Sequence, residues 1–268
     1  MKKIGQSGPL GSWSSVFCAG LLAIAVGCSP GKSKVEPVAD RVQEAAVPAF
    51  HVDSSTAGSI SGTIHFSGRR PVQKKIDMSE DPACVEAHHG RAVDESLVVS
   101  PTGALGNAFV YVKKGLEGKR FETPATPVVI DQNGCWFRPR VLGIQTNQPL
   151  QVINSDPVTH NIHPMAEVNR EWNHSQGAGD APLARKFTKP EVMIRVKCNI
   201  HSWMHAFIGV VDNPYFAVSK EDGSFTLPNL PPGDYTIEIW QESLGTHEQQ
   251  VRVAPHSNTL VNVLLKGK

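Results

Sequence analysis

Lys197-Cys198-Asn199-Ile200-His201-Ser202-Trp203-Met204 decides how the rest of the chain is read. The stretch sets a thiol, an imidazole and a thioether in one short loop, at spacing C-x2-H-x2-M. An apolar run enters it (Val192, Met193, Ile194, Val196) and another leaves it (Phe207, Ile208, Val210, Val211). Alternation at Met193, Arg195 and Lys197 predicts a strand with one solvated edge. A mononuclear blue-copper centre takes one Cys and two His in a trigonal plane, with a weak axial Met. The loop carries three of those four donors, and the second His is expected on an earlier strand.

Residues 150–163, LQVINSDPVTHNIH, read as strand, polar turn and strand, with His160-Asn161 and His163 on the second strand. Together the two stretches resemble the cupredoxins, closest to amicyanin and plastocyanin. That family carries a His-Asn element on one strand and its Cys-His-Met loop before the last strand. The resemblance covers roughly residues 125–213. It implies His160, Cys198, His201 and Met204 as ligands of a type 1 copper, with Asn161 tying the two ligand segments together. It also implies the edge of His201 as the place where an electron leaves for a docked partner. His163 is followed by Pro164 where the family pattern has Asn, so it is expected at the rim. His205 is expected to be exposed.

Other chemistries fit less well. A binuclear copper centre needs a second Cys in the ligand loop, and residues 199–204 hold none. Multicopper oxidases need several His-x-His pairs, and paired C-x2-C zinc spacing is absent. The sequence has no H-E-x-x-H and no Gly-rich phosphate loop, so an enzyme is not expected. Net charge is +1, without a basic run or aromatic–basic interleaving, which argues against nucleic acid as a partner. A one-electron copper carrier is expected, serving a periplasmic redox protein such as a cytochrome c or a dehydrogenase. The alternatives are a metal-free, non-redox binding module and a periplasmic copper-handling protein.

The first residues fit export. Lys2 and Lys3 precede an apolar run at 16–26, the layout of a secretory signal and too short for a membrane span. Ala25-Val26-Gly27-Cys28 resembles a bacterial lipobox, departing from it at Ala25 where Leu is usual, and implies lipidation of Cys28. Residues 29–57 are rich in Pro, Ala, Ser and charge and are expected to form a disordered tether, with a helical turn at 42–46. A flexible chain of roughly 28 residues reaches about 30 Å. The expected location is the bacterial cell envelope, lipid-anchored. With Cys18 in the signal and Cys28 lipidated, Cys84, Cys135 and Cys198 remain. Pairing Cys84 with Cys135, which an oxidising compartment permits, leaves Cys198 as the free thiol. The alternative is a second metal site at Cys84, His88 and His89, in a loop marked by Asp81-Pro82 and Gly90.

The remainder reads as all-β. Strands are expected at 59–66, 97–99, 108–112, 215–218, 224–227 and 235–240, with a polar loop up to residue 95 and a turn at 228–233. Val251, Val253, Val261, Val263 and Leu265 close the pattern. DGSFTLPNLPPGDYTIEIW (222–240) resembles the carboxypeptidase regulatory-like domains, transthyretin-like sandwiches of the carbohydrate-binding-like fold. A similar unit is the middle domain of rhamnogalacturonan lyases. This implies a second small β-sandwich and makes carbohydrate a partner to test. The expected organisation is a signal (1–28), a tether (29–57), opening strands (58–124), a cupredoxin-like Greek-key sandwich (125–213) and a regulatory-like sandwich (214–268). The opening strands either join 214–268 across an insertion or belong to the copper domain.

Overall fold

Period-two patterns dominate from Gly58 onward, and they become strands. The structure is a computed structural model describing residues 48–267. The expected signal, Cys28 and the 42–46 turn lie outside the described residues. β1 (Gly58–Ser67), helix α1 (Pro82–His88) and β2 (Phe109–Lys114) come first. Next are β3 (Val128–Gln132), β4 (Phe137–Arg138), β5 (Val141–Gln145), β6 (Leu150–Asn154), β7 (His160–Pro164) and β8 (His174–Gln176). They lead to β9 (Leu183–Arg185), β10 (Glu191–Lys197) and β11 (His205–Val211). Then come β12 (Phe216–Val218), β13 (Ser224–Leu230), β14 (Gly233–Gln241), β15 (Gly245–Val253), β16 (Asn258–Leu260) and β17 (Val263–Lys266). The fold of the described residues is all-β, with one short helix.

Four sheets form, ordered β13-β1-β16 with β17 also on β1, β12-β2-β14-β15, β5-β11-β10-β7-β8 and β4-β3-β6-β9. β1 and β2 therefore pair only with strands beyond residue 215, while β3 to β11 pair among themselves. Alternate faces of β2 show how the sheets stack. Val110 and Val112 join Ile60, Ile64, Ile237 and Ile239 in one core. Phe109 and Tyr111 point the other way, onto Val141, Phe207 and Val211 of β5 and β11. The opposite faces of those strands, Leu142, Ile144, Ile208 and Val210, join Ile130, Leu150 and Val152 in a third layer of packing. β5 and β11 are parallel neighbours with apolar residues on both faces. A doubly covered strand reads as a continuous apolar run, as residues 206–211 do.

The contact between the two sandwiches depends on a missing side chain. Gly143 and Gly209 are register partners across β5 and β11. A Cβ on Gly209 would lie 2.5 Å from the Phe109 ring, and one on Gly143 2.2 Å from Phe216. The two glycines leave a flat patch on which fully buried Phe109 rests. Burying a Phe side chain is worth roughly 1.5–3 kcal/mol.

Several expectations need correction. Residues 97–99 form no strand, only an isolated bridge from Val99 to Leu105. β2 runs through Lys113 and Lys114, and β13 runs through Pro228 to Leu230 where a turn was expected. The expected tether ends earlier, because Phe50 and Val52 pack on the core between the first two sheets and the Phe50 ring meets Phe121. The loop after β1 contains α1, with Asp81 as N-cap and Pro82 in the first turn, a start signal for a helix. The later part of this loop returns to the core of its flanking strands through Leu97, Val99 and Leu105, but the part around α1 does not. Its Met78, Cys84 and Ala92 are buried in the core of the β3–β11 sandwich.

Candidate metal centre

The Cys-His-Met loop closes the β10–β11 hairpin. Lys197 pairs with His205, the Cys198 N–H donates to the Met204 carbonyl at 3.0 Å, and the Met204 N–H to the His201 carbonyl at 3.0 Å. The loop is folded back on its own ends, which turns Cys198 inward. On β7, the polar turn SDP sets the other imidazole. Asn154 Nδ2 donates to the Val158 carbonyl (2.9 Å), and Asn154 Oδ1 accepts from the Asp156 N–H (3.1 Å). This Asn-led turn brings Asp156 beside His160.

His160 is fully buried, and His201 and Cys198 are each 3% exposed. Nδ1 of His160 lies 3.0 Å from Nδ1 of His201. Among the described residues, one ring nitrogen of each His and the Cys198 sulfur lie within 4.8 Å of one another. The outer nitrogens are occupied. His160 Nε2 donates to Asp156 Oδ2 at 2.7 Å, and His201 Nε2 to Asp81 Oδ2 at 3.1 Å. A carboxylate can only accept, so each ring's Nε2 carries hydrogen and each Nδ1 faces inward. The Cys198 sulfur accepts from the backbone N–H groups of Asn161, Ile200 and His201, each at 3.4 Å.

The electrostatics match a cation site. Burial resists a charge on His160, but the Asp156 carboxylate and the Cys198 sulfur raise it to about 9. Burial likewise works against the Cys198 thiolate, but His160 and the backbone N–H groups of His201, Asn161 and Ile200 bring the thiol below its ordinary value. In the metal-free protein a proton on His160 favours the thiolate, and the sulfur in turn favours that proton. The same pair would release that proton to hold a metal. An inward sulfur and two imidazoles, with fully buried Met204 in the same core, are the donor set for copper.

Asn161 bridges the two segments. Its Oδ1 accepts from the Asn199 N–H (3.0 Å) and its own N–H meets the Cys198 sulfur, so it links β7 to the ligand loop; Nδ2 binds Asn173 Oδ1 and the His174 carbonyl. His163 lies outside the cluster, half-buried, with Nε2 2.5 Å from Glu171 and Nδ1 3.4 Å from Asn199. His205 is not exposed as expected. It is half-buried between the Trp203 carbonyl and Glu242, beside Arg140.

Cys84 and Cys135 form a disulfide, and Cys198 is the free cysteine of the described residues. The expected set of Cys84, His88 and His89 does not assemble, because Cys84 is in the disulfide, His88 Nε2 bonds the Gly134 carbonyl and His89 is the exposed C-cap of α1. The larger correction concerns His201. Its outer edge is not open to solvent, because Asp81, α1 and the Cys84 sulfur, 3.9 Å from Nε2, lie against it. Sequence reasoning missed Asp81 and Asp156. Asp156 stands four residues before His160 in a turn-forming SDP, a signal that was present, whereas Asp81 lies 120 residues from His201 and had none.

No protein-family model matches the chain, and no curated protein matches it. Solved structures similar to part of it include a copper nitrite reductase and cupredoxins. One is the Cu-containing nitrite reductase of Thermus scotoductus, at 23% identity and TM-score 0.31, covering 36% of this chain and 24% of that one. The chain thus spans about a quarter of the nitrite reductase. A purple cupredoxin from Nitrosopumilus maritimus matches at 19% identity and TM-score 0.27, over 31% of this chain and 98% of that one. An oxidised amicyanin variant matches at 20% identity and TM-score 0.29, over 33% and 86%.

Proposed function

We propose that this protein is a one-electron carrier with a single copper held by Cys198, His160 and His201, and by Met204 as the weak axial donor. The observation that carries this reading is the buried convergence of the Cys198 sulfur with two imidazoles whose outer N–H groups are both taken by carboxylates. Bound copper would supply a centre that alternates between two oxidation states. The residues supply the rest. Three backbone N–H groups stabilise the Cys198 thiolate, Asn161 fixes the separation of β7 from the ligand loop, and the packed core excludes water. A rigid, dry donor set that changes little between oxidation states keeps reorganisation on electron transfer small.

The lipobox-like Cys28 supports an envelope-anchored protein, and its partner would be a periplasmic redox protein such as a cytochrome c or a dehydrogenase. With His201 covered by α1, that partner meets the Asp81 side of the site through the cap and not the bare imidazole. The deciding experiment is Cu(II) loading of the protein with Cys198 reduced. An intense visible thiolate-to-copper band is expected, absent in Cys198→Ser. A wild-type protein that stays colourless rules out the carrier reading and leaves a metal-free binding module. Cys28→Ser is expected to move the protein from the membrane to the soluble fraction, because lipid chains on Cys28 would supply the membrane affinity. Unchanged sedimentation with membranes removes the lipid-anchor part of the reading.

A further inference from the structure

Behind each inward-facing imidazole stands the same arrangement. Asp156 accepts His160 Nε2–H on Oδ2, and its two oxygens also take the N–H groups of Gly134 and Cys135, each at 2.7 Å. Asp81 accepts His201 Nε2–H on Oδ2, while its Oδ1 takes the N–H groups of Ala83 (3.0 Å) and Cys84 (3.4 Å). Each carboxylate is thus fastened to the backbone of one disulfide cysteine, and the Cys84–Cys135 bond joins the two. His160 on β7 and His201 in the β10–β11 loop share one outer frame closed by the disulfide. The Asp81 half comes from the loop between β1 and β2, whose flanking strands belong to the other sandwich.

We propose that Asp81 and Asp156 are positioning residues that hold the Nε2 proton of His201 and His160, so that Nδ1 of both rings presents its lone pair beside the Cys198 sulfur, with the disulfide keeping the two carboxylates in register. The inference takes the identity of the ion from the copper reading, but not the hydrogen-bond arrangement. Its physical basis is that an imidazole has two tautomers, and the partner of one nitrogen selects which nitrogen can ligate. A carboxylate partner also makes the ring a stronger donor, and losing such a group typically costs about 10–100-fold in metal affinity. The bland explanation is that Asp81 only caps α1. The geometry separates the two roles, since Oδ1 serves the helix and Oδ2 serves His201.

Two substitutions keep the cap and remove the second role. Serine and asparagine both cap helices nearly as well as aspartate. Asp81→Ser leaves no oxygen free for His201, and Asp81→Asn turns an N–H toward Nε2, which favours the proton on Nδ1. Nitrogen NMR of the His201 ring in metal-free protein, in mildly alkaline buffer, should find the proton on Nε2 in wild type and displaced toward Nδ1 in Asp81→Asn. Copper affinity should fall at least about 10-fold in both variants, while the metal-free proteins melt close to wild type. A wild-type ring protonated on Nδ1, or an Nε2 proton retained in both variants, overturns the inference whatever the affinities. Because that readout uses no metal, it still decides the matter if wild type fails to develop the copper band, which would defeat the carrier reading alone.

Discussion

At the residue scale, the four donors are not equivalent. His160 has its Nδ1 in the cluster and its Nε2 on Asp156, whereas His163, three residues on, spends both nitrogens on Asn199 and Glu171 at the rim. The two are on the same strand and differ only in what surrounds them. His160→Ala is therefore expected to abolish the visible band of the copper-loaded protein, and His163→Ala to leave its intensity within experimental error. Equal losses in both would mean that the rim histidine ligates. Met204 is fully buried among the apolar side chains of the β3–β11 sandwich, so a leucine fits its space. Because a thioether is a weak axial ligand, Met204→Leu should keep the colour and raise the reduction potential, as voltammetry would record. Loss of colour in that variant would make Met204 an essential ligand instead of a tuning one.

Elements raise a different question, which is how two sandwiches built from interleaved segments stay attached. The answer lies in β5 and β11, whose paired glycines, Gly143 and Gly209, make room for the Phe109 ring of β2. Neither glycine has a left-handed backbone, so the requirement is for space and not for conformation. In Gly209→Ala the new methyl would meet Phe109 at 2.5 Å and the Met193 end at 2.6 Å. Met193 can move, but Phe109 is wedged between Tyr111 and Phe216. Overpacking of this kind costs about 1–3 kcal/mol, to be read from the denaturant midpoint. The metal ligands sit on the other side of the sheet, so the copper band should persist. A neutral Gly209→Ala would mean that the sandwiches separate easily. α1 shows the same logic on a smaller scale. At seven residues it is too short to be stable alone, and the cap, the disulfide and burial of Cys84 hold it in place.

For the whole molecule, the charged groups around the centre set how stability responds to pH before metal is bound. His160 rises from 6.5 to about 9, and the Cys198 thiol falls below 9.0. His160 contributes stability that is fully present below about 6.5 and is lost as pH rises toward 9, whereas Cys198 contributes stability present above 9.0 and lost as pH falls through its lowered value. The two slopes oppose each other. Asp81 and Asp156 act in the direction of Cys198 at lower pH. Burial opposes their ionisation, but hydrogen bonds from the histidines and the backbone hold both below 3.8, so their contribution is present above that value and lost as pH falls. The melting temperature of metal-free protein should decline as pH falls below about 4, where the unfolded chain takes up protons that Asp81 and Asp156 resist in the fold. A rise on acidification through that range would contradict the ionised carboxylate partners of the two histidines.

What the sequence determined by itself is what short-range pattern can carry. Alternation marked most of the strands, and the spacing of Cys198, His201 and Met204 within one loop placed three candidate donors together, because a hairpin brings its own residues close whatever surrounds it. His160 could be singled out over His163 only through the resemblance, whose His-Asn element matches His160-Asn161 and not His163-Pro164. Only the tertiary structure decided which sandwich the loop before β2 packs against, that Phe50 belongs to a core, and that His201 lies under Asp81 and a disulfide. Those facts join residues far apart in the chain, and no local periodicity encodes them. They follow from which apolar faces remain to be covered once the strands have paired. The loop from β1 to β2 carries Met78, Cys84 and Ala92, and the place left to bury them is the ligand end of the other sandwich.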